Sequence, residues 1–159
     1  MKEIMKSILF TVMYICMSTA IAGSPKQPVE NVLDQLHNAA SKADSKLYFS
    51  LFAKDSVYIG TDAKETWTIK EFKEFAEPYF SKGKGWTYTA NNRHIYFSKN
   101  GDVAWFDELL WNEKYGECRG TGVLVLEGKQ WKIAQYHLTI PIPNELAGEV
   151  VQKINISKH

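Results

Sequence analysis

Residues 101–140 constrain this chain more than any other stretch. They read as three long strands near 103–112, 117–127 and 130–140, joined by turns at Lys114-Tyr115-Gly116 and Gly128-Lys129. Val, Ile, Thr and aromatic residues fill the runs, and glycines stand where the chain must reverse. Side chains in a strand alternate faces, so each run divides into two sets. One set is Val103, Trp105, Asp107, Leu109 and Trp111, then Arg119, Thr121, Val123 and Val125, then Trp131, Ile133, Gln135, His137 and Thr139. The other is Ala104, Phe106, Glu108 and Leu110, then Cys118, Gly120, Gly122, Leu124 and Leu126, then Ala134, Tyr136, Leu138 and Ile140. Neither set is polar enough for a solvated face, so both faces are expected to be covered. The first set mixes large aromatics with Asp107, Arg119, Gln135 and His137, the composition of a ligand cavity. Pooling the sets assumes turns that keep odd positions on one face; a two-residue turn, or a bulge, would swap one strand's set.

The first residues read as a targeting segment. Lys2 and Lys6 form a basic start, Ile8 to Met17 is an apolar run, and Ala20-Ile21-Ala22 fits a cleavage site. Residues 1–22 are therefore expected to be a signal peptide, followed by a linker (23–28), a single domain (29–155) and a tail (156–159). The expected location is periplasmic or secreted, with no membrane association once the signal is removed. Cleavage also removes Glu3 and leaves 17 basic and 17 acidic residues, a balance that argues against nucleic acid as a partner. Cys16 leaves with the signal, so Cys118 stands alone and is expected to be a small buried residue. No Cys/His spacing suggests a metal, and no cofactor is expected. Asn155-Ile156-Ser157 is a glycosylation sequon, meaningful only in a eukaryotic secretory host.

Upstream, Val32, Leu33, Leu36, Ala39, Ala40, Ala43 and Leu47 recur at helical spacing, with a break near Ser45 and a short second helix through Leu51. Val57-Tyr58-Ile59 reads as a brief strand closed by Gly60-Thr61-Asp62. Thr68-Ile69-Lys70-Glu71 is a capping box, and Phe72, Phe75, Ala76, Tyr79 and Phe80 continue that helix, with Pro78 inside it. Residues 86–98 read as a strand with a bulge at Asn91-Asn92, and Asn100-Gly101 is a hairpin turn. Pro141 and Pro143 end the sheet. Asn144 then caps a last helix bearing Leu146, Val150, Val151 and Ile154.

This order, with LFAKDSVYIGTD (51–62), W-T-x-x-E-F (67–72), R-x-T-x-V (119–123) and W-x-I-A-x-x-H-x-T (131–139), resembles the SnoaL-like branch of the nuclear transport factor 2-like superfamily. The resemblance implies an α+β, cone-shaped, cystatin-like fold, with N-terminal helices closing a curved, mostly antiparallel sheet around a pocket. It also implies dimerisation through the outer face of the sheet, for which Phe106, Leu110, Leu124, Leu126, Tyr136 and Leu138 supply apolar candidates. Family members include isomerases, cyclases, dehydratases, ligand binders and oligomerisation domains, so the resemblance leaves chemistry open.

Asp107 and His137 are the candidate catalytic groups. Aromatic surroundings would raise the Asp107 carboxyl and suit it to proton transfer, whereas an ion pair with Arg119 would lower it. Arg119, Tyr58, Asp62, Trp67, Trp105, Trp111 and Gln135 are the candidate ligand contacts. Asp62 reads equally as turn chemistry, and most of the tryptophans as core. His37 and His94 are read as surface residues. Three functions fit: a small-molecule-binding protein for an apolar ligand, an acid/base enzyme acting on an apolar carbonyl compound, or a structural dimerisation module.

Overall fold

The computed structural model describes residues 24–157; the expected signal segment lies outside them. Helix α1 (Gln27–Ser41) buries Val29, Leu33, Leu36, Ala39 and Ala40, the stripe its spacing predicts. It begins within the expected linker, where Pro28 suits a first turn. Ala43 takes a left-handed conformation, φ 54°, and breaks the helix. Asp44 then caps α2 (Ser45–Ser50), accepting from the Leu47 amide at 2.9 Å.

Strand β1 (Phe52–Ile59) is longer than the predicted 57–59, with an irregularity between Phe52 and Val57 that interrupts its alternation. The short strand β2 (Thr66–Thr68), not foreseen, pairs antiparallel to β1. Helix α3 (Ile69–Phe80) opens on the capping box, with Glu71 Oε2 accepting from the Thr68 amide at 2.8 Å. Then come β3 (Thr89–Phe97), β4 (Val103–Asn112), β5 (Gly116–Glu127) and β6 (Gln130–Thr139). The bulge expected in β3 falls at Asn92, where φ is 46°. A single 3-10 turn (Asn144–Leu146) leads into α4 (Ala147–Ser157), which buries none of its residues.

The six strands form one sheet in the order β2-β1-β6-β5-β4-β3, and only the β1–β6 pair is parallel. This is the α+β architecture expected, with the N-terminal helices on one face of a mostly antiparallel sheet.

The faces, however, are reversed from the sequence reading. Ala104, Phe106, Glu108, Leu110, Cys118, Leu124, Tyr136 and Leu138 are buried, in the main core beneath the helices or beside it. They do not form the outer interface expected of Phe106, Leu110, Leu124, Tyr136 and Leu138. The set holding Trp105, Asp107, Trp111, Arg119 and Gln135 lies on the outer face. Alternation separates the two sets but does not say which one the helices cover, and the single charge of the inner set hid its core character. Ile133 is fully buried despite its place in the outer set, because β6 carries an extra residue, Ala134, between the pairs Leu124–Ile133 and Val123–Gln135.

Two glycines on the inner side of β5 make this packing possible. A Cβ at Gly122 would stand 2.2 Å from the Gln135 carbonyl oxygen and 2.8 Å from the Phe106 ring. At Gly120 it would stand 2.5 Å from the Tyr136 hydroxyl. Neither glycine is required for its backbone conformation; each leaves room for a large side chain from a neighbouring strand.

The face assignment predicts unequal costs for adjacent truncations. Leu124→Ala should destabilise the fold by about 2–5 kcal/mol. Val125→Ala, on the half-exposed outer face, should cost about 1 kcal/mol or less. Urea unfolding of both variants reads the difference, and a larger loss at Val125 would contradict the assignment.

Candidate functional site

The site grows from one buried carboxylate. Glu108 points from β4 toward the helices and is fully buried. An unpaired charge there would cost several kcal/mol. His37 Nε2, from α1, lies 2.7 Å from its Oε1, and Arg93 Nε, from β3, donates to its Oε2 at 2.7 Å. The Tyr136 hydroxyl donates to Oε1 at 3.3 Å. Arg93 continues to Asp34 at 2.8 Å and to the Glu30 carbonyl oxygen at 3.4 Å, both on α1. The network thus ties α1 to three strands.

Burial raises the Glu108 carboxyl, but the hydrogen bond and charge of His37, then those of Arg93, outweigh it and hold it below the ordinary carboxylate value. An ionised carboxylate can only accept, so His37 Nε2 carries a proton. Nδ1 makes no hydrogen bond among the described residues; it is an acceptor in the neutral ring and a second donor in the charged ring that lowers Glu108. Burial first, and the charge of Glu108 second, push the Tyr136 hydroxyl well above its ordinary value, so it remains a donor.

Two spaces with shared walls lie near this network. The inner chamber, about 10 Å³, is lined by His37, Tyr48, Tyr58, Trp86, Tyr88 and Tyr136, among others. It has room for about one water molecule. The outer pocket, about 240 Å³, shares Tyr58, Trp86, Tyr88 and Leu138 with the chamber and adds Gly60, Glu65, Trp67, Phe75 and Tyr115. Its walls stack on one another. The Tyr58 ring lies 3.7 Å from Phe72 and 5.7 Å from Tyr136, nearly parallel to both. Burial is the main reason that the Tyr88 hydroxyl is pushed up to about 12. A larger groove between α2 and α3, about 690 Å³, is lined by Lys46, Lys70, Lys73, Glu74 and Glu77 around Phe49 and opens broadly to solvent.

The residues singled out from sequence divide between two places. Tyr58 and Trp67 line the outer pocket. Asp62 is exposed in the loop beside it, where its Oδ1 accepts from the Lys64 amide at 2.9 Å. Asp107, Arg119, Gln135, His137, Trp105 and Trp111 share the outer face of the sheet. Asp107, Thr121 and His137 stand in one row across β4, β5 and β6, so these candidates do share a face, but one turned away from the pocket. Asp107 does not pair with Arg119. It meets His94 at 3.0 Å in a solvent-screened contact. Trp105 stacks on Tyr96 at 6.0 Å, and both are about half exposed.

Glu108 and His37 were missed. His37 is not a surface residue: it follows Leu36 on the buried side of α1, one turn beyond Asp34. The available signal was a lone carboxylate in an otherwise apolar alternating set, facing a strand with two glycines on the same side.

Glu108 predicts a stability effect with a definite pH dependence. Its folded-state pKa lies below the unfolded value of about 4.3. Its contribution is therefore present above that value and lost as pH falls through the folded one. Glu108→Gln should cost about 3–5 kcal/mol near neutral pH and flatten the acid limb of the stability curve. Asp107→Asn, in an exposed pair, should change stability by about 0–1 kcal/mol. Denaturation midpoints between neutrality and pH 3 distinguish the two.

Residues 29–143 match the family model described as a SnoaL-like domain. No curated protein matches the sequence. Among solved structures, a nuclear transport factor 2-like protein of unknown function from Pseudomonas putida is similar with a TM-score of 0.63 and 16% identity, over 76% of this chain and 89% of its own. A cystatin-like domain of unknown function from Nostoc punctiforme gives a TM-score of 0.66 and 13% identity, over 80% and 84%. A protein from Novosphingobium aromaticivorans provisionally named a scytalone dehydratase gives 0.61 and 13%, over 73% and 83%. At these identities the structures speak for the fold, and the domain match covers most of the chain. The protein belongs to the SnoaL-like domain family, with the nuclear transport factor 2-like fold.

Proposed function

We propose that this chain is an exported small-molecule-binding protein whose ligand enters the outer pocket and extends toward His37. The observation that carries this reading is the aromatic pocket of about 240 Å³ that shares walls with a chamber beside a buried carboxylate–imidazole pair. The volume lies just below the usual range for ligand pockets and suits a small, flat, mostly apolar molecule with one polar end. Walls already stacked against the core need little reordering on binding, which favours affinity.

A second reading rests on His37. Glu108 fixes its Nε2–H, so that in the neutral ring Nδ1 is left as a base, the arrangement by which a carboxylate orients a catalytic imidazole. A ligand in the outer pocket whose carbonyl end reached the chamber wall, with an acidic C–H within about 3 Å of a neutral His37 Nδ1, would lose that proton. The Tyr136 hydroxyl lies beside the same carboxylate as a donor.

One panel separates the readings. Small aromatic and alicyclic ketones are titrated while the fluorescence of Trp67 and Trp86 is followed, and deuterium uptake beside each carbonyl is read by NMR in D2O. Binding without exchange supports the binding protein. Exchange that falls by about 100-fold or more in His37→Asn supports the catalyst. A panel in which nothing binds removes both.

Export and self-association complete the proposal. Cleavage after Ala22 is expected from the N-terminal pattern. The outer sheet face, with Trp105, Leu109, Val123 and Val125 among paired and polar side chains, is proposed as the surface for a second copy. Native mass spectrometry of protein from its own host should show a chain starting at Gly23 and a dimer that Trp105→Arg dissociates. A full-length monomer would count against both claims.

A further inference from the structure

The outer pocket carries a charge with no partner. Glu65 lines it, and Glu65 makes no ion pair among the described residues. The carboxylate is held in place rather than trailing in solvent. Its Oε2 accepts from the Asp62 amide at 3.1 Å, while its own backbone closes the loop through Gly60 N–H to the Glu65 carbonyl oxygen at 2.8 Å. A Cβ at residue 60 would stand 2.2 Å from that Oε2, so glycine there is what lets the carboxylate lie over the end of β1.

The remaining walls have a matching character. Tyr58, Trp67, Phe75, Trp86, Tyr88 and Tyr115 line the space, Tyr58 with its ring already stacked on Phe72 and Tyr136, and no Lys, Arg or His lines it. Ring faces carry negative potential and attract cations, most strongly where water is excluded. The rim already shows this preference: Lys114 Nζ lies 4.8 Å from the centre of the Tyr115 ring. The charge of Glu65 also reaches inward, adding to burial and Tyr88 in raising the Tyr58 hydroxyl. A purely neutral ligand would leave a fixed carboxylate facing apolar surface, which is unfavourable.

We propose that the outer pocket recognises an alkylated ammonium group, with Glu65 as counter-charge and Trp67, Trp86 and Tyr88 as the aromatic cage. The inference rests on reading this pocket as the ligand site and adds the charge class of the ligand. A trimethylammonium head is the best fit in chemistry. Its methyl groups meet the ring faces, it needs no hydrogen-bond donors, and its charge is spread toward Glu65.

The test compares choline with 3,3-dimethylbutan-1-ol, which has the same shape and no charge. Both are titrated into the mature chain by calorimetry and by tryptophan fluorescence. Choline should bind about tenfold or more tightly than the alcohol. Glu65→Gln should remove most of that preference by weakening choline and not the alcohol, and circular dichroism should show the variant folded. Raising the salt concentration should weaken choline alone. Equal affinity for the two probes, or choline binding insensitive to Glu65→Gln, overturns the cation inference and leaves the pocket reading intact. If neither probe binds but a neutral aromatic ketone does, the cation inference again fails and the pocket stands. If no probe of any class binds, the pocket reading fails with it.

Discussion

A charge placed where water cannot reach it must be answered on every side, and Glu108 sets that requirement for this fold. Its two oxygens are met by His37, Arg93 and Tyr136. Those three residues come from α1, β3 and β6, so satisfying one carboxylate fixes how a helix lies on the sheet. Arg93 extends the tie to Asp34 and Glu30 on α1. Such a network is costly if broken, yet adds less net stability than apolar packing of the same volume would. Its value here is geometric. It holds an imidazole in one orientation at the wall of a chamber, and Gly120 leaves the space in which the carboxylate and the Tyr136 hydroxyl meet.

The rest of the interior is aromatic, and that choice links the core to the pocket. Tyr48 is the hub on the helix side, with Phe49, Phe52, Phe72, Phe80 and Trp86 around it at 5.1–6.3 Å between ring centres. The stack continues through Phe72 to Tyr58 and from Tyr58 to Tyr136, which returns to Glu108. The same rings that close the core line the pocket. The pocket is therefore shaped by core packing rather than by a mobile loop, and Trp86 and Tyr58 serve both roles. Only its rim, with Phe75 and Tyr115 about half exposed, is free to adapt to an occupant. The outer sheet face differs in kind. Its tryptophans and the His94–Asp107 pair sit in solvent, where charges are screened and aromatic surface is available to another molecule.

Several elements were legible because their signals are local. The α1 stripe follows from helical spacing, the start of α3 from Thr68 and Glu71, and the β3 bulge from Asn91-Asn92. The three long strands were legible from their own alternation. The domain resemblance, carried by short motifs in and around β1, α3, β5 and β6, led to the right fold. What could not be read was which face of the sheet the helices cover. Both sets contain large apolar residues, and alternation is blind to direction. The set with more polar residues was read as a cavity, although Asp107, Arg119 and Gln135 face outward, where water satisfies them and Asp107 meets only His94. Glu108, flanked by Phe106 and Leu110 on its own face, looked like the exception and proved to be the residue around which the interior is arranged.

By itself, the sequence determined the order of the main elements, the tight turns between the long strands, the capping box of α3 and the family. Backbone geometry and nearest-neighbour chemistry settle these within about ten residues. Tertiary structure alone decided that His37 meets Glu108 across 71 positions, that Glu65, in no ion pair among the described residues, lines an aromatic pocket, and that Ala134 turns Ile133 inward. Those outcomes depend on which long-range partner satisfies a buried charge and on where a single extra residue resets the pleat. No local propensity encodes either one.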